Sequence, residues 1–275
     1  MIRALVNQGG SLKNVVGDSE IVDLENQKLL ELNKSLSELA QRYVESLPFD
    51  NLVEGFLKYV FTKGYITHLS IIKLCEIGHG QDAGILARSL FELVVTVKYV
   101  LLDSEYRIQR WLDYDWVVRS RMLQYAKKDK RLREAIANRE LKQYDDDPKT
   151  IEAKAKETQD KYKYEPAKAW SEKSIYGMAK EVGLKHEYET IYGIYSNMHH
   201  SAARAVNEYF KIKADGELDI DAGRSGNMVN EALVSSFHFY GMIVDICNDK
   251  LSLNLEKELE VLVNTYEEIV KSGIE

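Results

Sequence analysis

The stretch Asp82–Leu102 is the most apolar of the chain, and at about 1.5 Å per residue it is long enough to cross a bilayer as a helix. Arg88 and Glu92 sit near its middle, and Lys98 follows. A cation at the centre of a membrane helix costs roughly 2.5–3.5 kcal/mol. The run is therefore expected as the buried central helix of a helical bundle. No second membrane candidate occurs, and Met1–Gly10 has no apolar run of signal-peptide length. A cytoplasmic protein that does not engage a membrane is the resulting expectation.

The 275 residues contain only three prolines and few turn dipeptides, which argues against a many-stranded sandwich or barrel. Hydrophobic residues make up 45% and charged residues 29%, enough to build a core and too apolar for a disordered chain. The net charge of −7 gives no global attraction to nucleic acid, while a local basic patch stays open. Cys75 and Cys247 lie in apolar surroundings and read as two reduced core thiols. Two cysteines cannot form a disulfide framework or a cysteine-rich zinc site.

Helical spacing accounts for most of the chain. Residues 1–17 read as a flexible arm, and residues 18–275 as a single helical domain. Asp18 or Ser19 caps a helix carrying Leu29, Leu32, Leu36 and Leu39, which Pro48 stops. Asp50 caps the next, which Gly78 and Gly80 end, and Asp82 opens the central helix. Residues 127–168 hold 13 Lys/Arg and 10 Asp/Glu with few large apolar side chains. They read as a charged insertion, a solvated arm unable to bury a face, with a turn at Asp145–Pro148. A helix is expected over about 187–210, then a small hairpin near 210–220 about Asp215-Gly216. Asn227 caps one further helix, and a last helix holds Leu255, Leu259 and Ile269. The expected architecture is all-α, a bundle of about seven to nine helices with that one hairpin.

The common catalytic templates are absent: there is no Walker-type phosphate loop, no G-x-G-x-x-G, no H-E-x-x-H and no G-x-S-x-G. The one Glu-x-x-His, Glu76 to His79, sits at a helix end, and a di-metal bundle needs two. No metal or cofactor is expected. Two constellations remain. Arg88 and Glu92, four apart, share a helix face and can pair. They either fix helix packing or present a guanidinium fork to a carboxylate or phosphate. Tyr188, Tyr192, Tyr195 and His199 recur at spacings of four, three and four, with Ser196 and His200 beside them. Such an aromatic stripe is core in most helices, yet its polar tips need partners if buried. A third set, Arg107, Arg110, Trp111, Tyr114, Trp116 and Arg119, reads as an amphipathic helix with a packed tryptophan side. Stacking on nucleic-acid bases is the alternative.

The run Asp82–Glu92, with Arg88-Ser89 and Glu92, resembles the R-S-x-x-E helix of the bacterial domain-of-unknown-function family DUF5677. Trp170, Lys173–Ile175, Tyr192–Ser196 and one of His199 and His200 are similar to its second signature. The resemblance spans about 52–210. It implies an all-helical, intracellular, prokaryotic or phage-encoded protein and no particular activity. A weaker resemblance is to the helical HEPN ribonucleases of toxin and phage-defence systems. Their contiguous arginine-to-histidine motif is missing here, because no arginine has a histidine four to seven residues downstream. Three functions follow, and no reaction class is fixed. The first is a non-enzymatic module binding a small anionic ligand or protein partner in a polar pocket of Arg88, Glu92, Tyr192, Tyr195, Ser196 and His199. The second is a metal-independent ribonuclease acting on RNA through His199 or His200 and Arg88. The third is a structural protein, with a homo-oligomer expected.

Overall fold

A computed structural model describes residues 24–137, 147–165, 169–212, 218–220 and 224–272, and they are overwhelmingly helical. The arm expected over 1–17, its helix cap at Asp18 or Ser19 and the turn at Asp215-Gly216 lie outside the described residues. No helix among the described residues is long and apolar enough to cross a membrane. The chain divides into two compact units, Met1–Val97 with Leu184–Glu275, and Lys98–Gly183.

In the first unit, α1 (Leu24–Val44), α2 (Leu52–Glu76) and α3 (Gly80–Leu101, as far as Val97) come from the N-terminal part. The last two helices are α9 (Val229–Leu251) and α10 (Glu256–Ser272). Leu29, Leu32, Leu36 and Leu39 bury the expected stripe of α1. The central helix is as apolar in its surroundings as its sequence requires: Ala83, Ala87, Leu90, Phe91, Val94 and Val97 are buried, and Phe91 meets Phe239 of α9 edge to face at 5.3 Å. Cys75 and Cys247 are buried free thiols, each pushed up to about 12 chiefly by burial. They stay protonated and unreactive at neutral pH.

Several helix ends differ from the sequence reading. Asn51, not Asp50, caps α2, its side-chain oxygen accepting from the amides of Val53 and Glu54. The Asp50 amide instead donates to Glu54 at 2.7 Å, so the neighbouring asparagine and glutamate close the helix start between them. Gly78 takes the left-handed conformation that ends α2 (φ 75°), as a glycine there allows. Asn227 does not cap α9; its amide donates to the Glu208 carbonyl, and the helix starts at Val229. The long helix expected to reach residue 210 stops at His199. Ser201 turns left-handed (φ 49°), and the amides of Ser201 and Ala202 bond back to Met198 and Asn197, a helix-terminating arrangement that needs no glycine. A 3₁₀ segment, Ala203–Glu208, follows. Residues 210–212 and 218–220 pair antiparallel.

The second unit holds α4 (Ser104–Lys128), α5 (Lys130–Ala137), α6 (Pro148–Tyr162) and α7 (Ile175–Glu181). The stretch expected to remain solvated does bury a face. Ile151, Ala155, Thr158 and Tyr162 of α6 are buried at spacings of four, three and four, against α4. Asp147 and Pro148 open that helix, the aspartate as N-cap and the proline in the first turn. Small and β-branched residues at the right period made a face that a search for large apolar side chains does not register. Arg110 is buried among Tyr106, Tyr162 and Tyr164 and donates to the Trp170 carbonyl at 2.7 Å and to Glu172 at 3.2 Å. Arg107 lies 3.7 Å over the ring of Tyr99 and pairs with Glu181. Arg107 and Arg110 are thereby committed to packing, and Arg119, the third arginine of the aromatic–basic set, pairs with Asp115 and lies 5.1 Å over the Trp116 ring.

Candidate functional site

Three small residues near the start of α3, Ala83, Gly84 and Ala87, let another helix approach its backbone closely. That neighbour is a continuous helical stretch: a turn at Lys185–Glu187, a π-helical segment Tyr188–Tyr192, and α8 (Gly193–His199). A Cβ on Gly84 would lie 2.6 Å from Tyr195 Cδ1 and nearer still to Cε1. The Tyr195 ring therefore lies against bare backbone, and only glycine gives it room.

Arg88 and Glu92 then close on Tyr192. Arg88 Nη2 donates to the Tyr192 hydroxyl at 2.7 Å and to Glu92 Oε1 at 2.9 Å, and the hydroxyl donates to the same carboxylate oxygen at 3.1 Å. The guanidinium carbon lies 4.6 Å from the Tyr192 ring centroid. Burial pushes the Tyr192 phenol up, and the nearby Glu92 charge adds to it, so the hydroxyl keeps its proton and donates it to the carboxylate while accepting from Arg88. Tyr192 also stacks on Tyr188 at 4.7 Å and packs on Phe91. The Arg88 side chain is 13% exposed and Glu92 39%. Arg88 Nε is buried with no hydrogen-bond partner among the described residues.

The remaining candidates do not join this triangle. Tyr195 is buried, and its hydroxyl shares a 3.1 Å hydrogen bond with Ser235 of α9. Burial raises its pKa. Ser196 is half-buried, whereas His199 and His200 are exposed at the helix end, their rings edge to face at 4.8 Å. Among the described residues neither imidazole hydrogen-bonds to Arg88. The expected single stripe is split because the π-helical turn and the early stop at His199 both depart from regular α geometry.

Beside Tyr195 opens a groove of about 410 Å³ that the sequence did not point to. Ile191, Ile194, Met198, Met228 and Val234 give it apolar walls, and Tyr195, Ser235, Asn230, Glu231, Glu208 and Arg204 supply polar groups. Arg204 is exposed and has no ion pair among the described residues. A weak sequence signal did exist: Gly84 inside an apolar helix, where glycine costs about 1 kcal/mol relative to alanine, marks a close approach. Nothing in the sequence singles out Ser235 or Asn230.

A family model, Family of unknown function (DUF5677), matches residues 56–218. The chain belongs to the DUF5677 family. No curated protein and no solved structure matches it. The matched segment of this DUF5677 protein contains Gly84, Arg88, Glu92, Tyr192 and Tyr195, and stops short of the α9 wall of the groove.

Replacing Tyr192 by phenylalanine is expected to cost about 1 kcal/mol and Arg88→Met about 2 kcal/mol. Both remove bonds to one triangle, so the double variant should fall short of the sum by at least about 0.5 kcal/mol. Urea unfolding of the four proteins checks this, and strict additivity would mean that the triangle is not one unit.

Proposed function

We propose that this DUF5677 protein is a non-enzymatic binding module. Its ligand is a small organic acid with an apolar body, held in the groove beside Tyr195. The groove itself carries the reading: its volume falls in the range of small-molecule sites, and apolar walls with a few convergent polar groups are the usual make-up of such sites. Arg204 offers a fork to the acidic group, which it must hold against the like charges of Glu208 and Glu231 on the same groove. Asn230 and the Tyr195–Ser235 pair offer hydrogen bonds, and the aliphatic walls cover the body. The Arg88–Tyr192–Glu92 triangle acts as a brace, fixing the π-helical segment that places Ile191, Ile194 and Tyr195 along the groove. π-helical turns of this kind recur at functional sites. A ribonuclease would need Arg88 to give up both of its partners to reach a phosphate, which the closed triangle disfavours.

Thermal melts of the purified protein with phenylacetate, octanoate and adenosine monophosphate test the reading. A ligand at one hundred times its Kd stabilises by about 2.7 kcal/mol. At least one acid is expected to raise the melting temperature. Arg204→Ala should weaken that ligand at least tenfold, and Ile194→Glu should abolish binding. Both positions are exposed, so both variants keep the fold. Failure of all three acids to bind, or binding indifferent to both substitutions, overturns the proposal.

A further inference from the structure

Charge is divided unevenly between the two units. The segment Lys98–Gly183 holds 20 Lys/Arg against 16 Asp/Glu, and the rest of the chain holds 17 against 28. The net −7 therefore conceals a basic unit. Its densest stretch is Lys127–Arg133, five cations and one aspartate in seven residues, exposed throughout where α4 gives way to α5.

Two of the five cations are paired: Lys127 with Glu152, and Lys130 with Glu134 at 4.0 Å. Asp129 is spent on the helix start, its Oδ1 accepting from the amides of Arg131 and Leu132 at 2.8 and 3.1 Å. Lys128, Arg131 and Arg133 have no ion pair among the described residues. Tyr125, three residues before Lys128 and so on its helix face, is 70% exposed. Val118, Met122 and Leu132 are the other exposed large apolar side chains of Trp116–Arg133, a stripe narrower than the broad apolar face of a membrane-surface helix.

We infer that this α4–α5 edge binds single-stranded nucleic acid, Lys128, Arg131 and Arg133 holding phosphates while Tyr125 stacks on a base. Arginine forks match phosphate oxygens, and an exposed ring offers a platform only to an unpaired base. Charges more than about 10 Å from the edge are largely screened at 0.1 M salt, so the local balance at the edge decides its attraction. The edge lies in the unit that does not contain the groove, so the two readings stand or fall separately.

Fluorescence anisotropy of the full chain with labelled 20-nucleotide oligo(U) and oligo(dT), their duplexed counterparts and vesicles rich in phosphatidylserine tests the inference. Single strands are expected to bind in the micromolar range at 50 mM salt and to weaken as salt rises. The combined K128E/R131E/R133E variant should lose at least tenfold in affinity. Its log–log salt slope should be shallower by about 2, from three phosphate contacts at about 0.7 each. Tyr125→Ala should lose about fivefold or more on single strands, in line with a stacking contact, and little on duplex. Reversing Lys73 and Lys271, in the other unit, should change nothing. All these side chains are exposed, and far-UV circular dichroism confirms each fold. No single-strand binding at 100 μM protein, equal loss from the Lys73 and Lys271 controls, or binding to vesicles alone overturns the inference.

Discussion

Alanine at Gly80 is expected to lower the stability of the unit containing α3 by about 3 kcal/mol, the upper end of the usual penalty for overpacking. The first residue of α3 lies against the chain that leads into α9. A Cβ there would stand 2.5 Å from the Met228 carbonyl carbon and the Val229 nitrogen, and closer still to the Asn227 carbonyl oxygen. All three are backbone atoms, so no rotamer change relieves the clash. The strand of chain they belong to is pinned in turn. The Ser225 amide donates to the Gly78 carbonyl at 3.0 Å, Asn227 Nδ2 donates to Glu208 at 2.8 Å, and Gln81 reaches the same carbonyl at 3.4 Å. Gly84→Ala meets a side chain instead, the buried Tyr195 ring, and should cost less, about 1–2 kcal/mol once the better helix propensity of alanine is counted. Urea unfolding followed by circular dichroism orders the two. A loss below about 0.5 kcal/mol for Gly80→Ala would show that α3 does not begin against this backbone.

These two glycines show where sequence reading reached and where it stopped. Helix periodicity located α1, α2, α3, α9 and α10 because each buries a regular apolar stripe, and regularity is what a linear pattern can display. Helix ends were less legible, since the cap at Asn51 and the left-handed Ser201 depend on which of several capable residues the tertiary contacts select. Arg88 and Glu92 could be paired from their spacing alone. Tyr192 is grouped with them in the candidate pocket, but no spacing rule pairs it with Arg88, because a contact across a hundred residues leaves no local trace. The π-helical turn moved the tyrosines off the stripe that regular geometry drew through them. Gly80, read as a helix end, and Gly84, given no role of its own, mark where a second backbone or ring presses on α3.

Acid is expected to destabilise the protein through His68 by about 3 kcal/mol between pH 6.5 and pH 4. The side chain is fully buried between α1, α2 and α9, with Nε2 3.0 Å from the Asn33 carbonyl oxygen and Nδ1 2.7 Å from Ser236 Oγ. A carbonyl only accepts, so Nε2 carries the proton and Nδ1 accepts from the serine hydroxyl. Tyr240 stacks on the ring at 4.8 Å, and among the described residues no carboxylate is hydrogen-bonded to it. Burial, only partly opposed by the Asn33 carbonyl, holds the imidazole down to about 4 from an ordinary 6.5. The folded state then binds this proton less readily than the unfolded chain. Its contribution is fully present above pH 6.5, falls as pH drops through the window between the two values, and levels off below about pH 4. At 1.36 kcal/mol per unit, the displacement is worth about 3 kcal/mol. His68→Gln keeps a donor for the Asn33 carbonyl and cannot titrate. Its stability, whatever its starting value, should fall less steeply across this window than that of the wild type, by that amount. Carboxylates that also lose their partners in acid contribute equally to both proteins and cancel in the difference. Urea midpoints at half-unit pH steps give the two slopes, and the His68 Cε1 proton resonance reports the titration directly. Parallel slopes, or a resonance that titrates near 6.5, would mean that the ring reaches water in the native state and that the α1–α2–α9 junction is open around it.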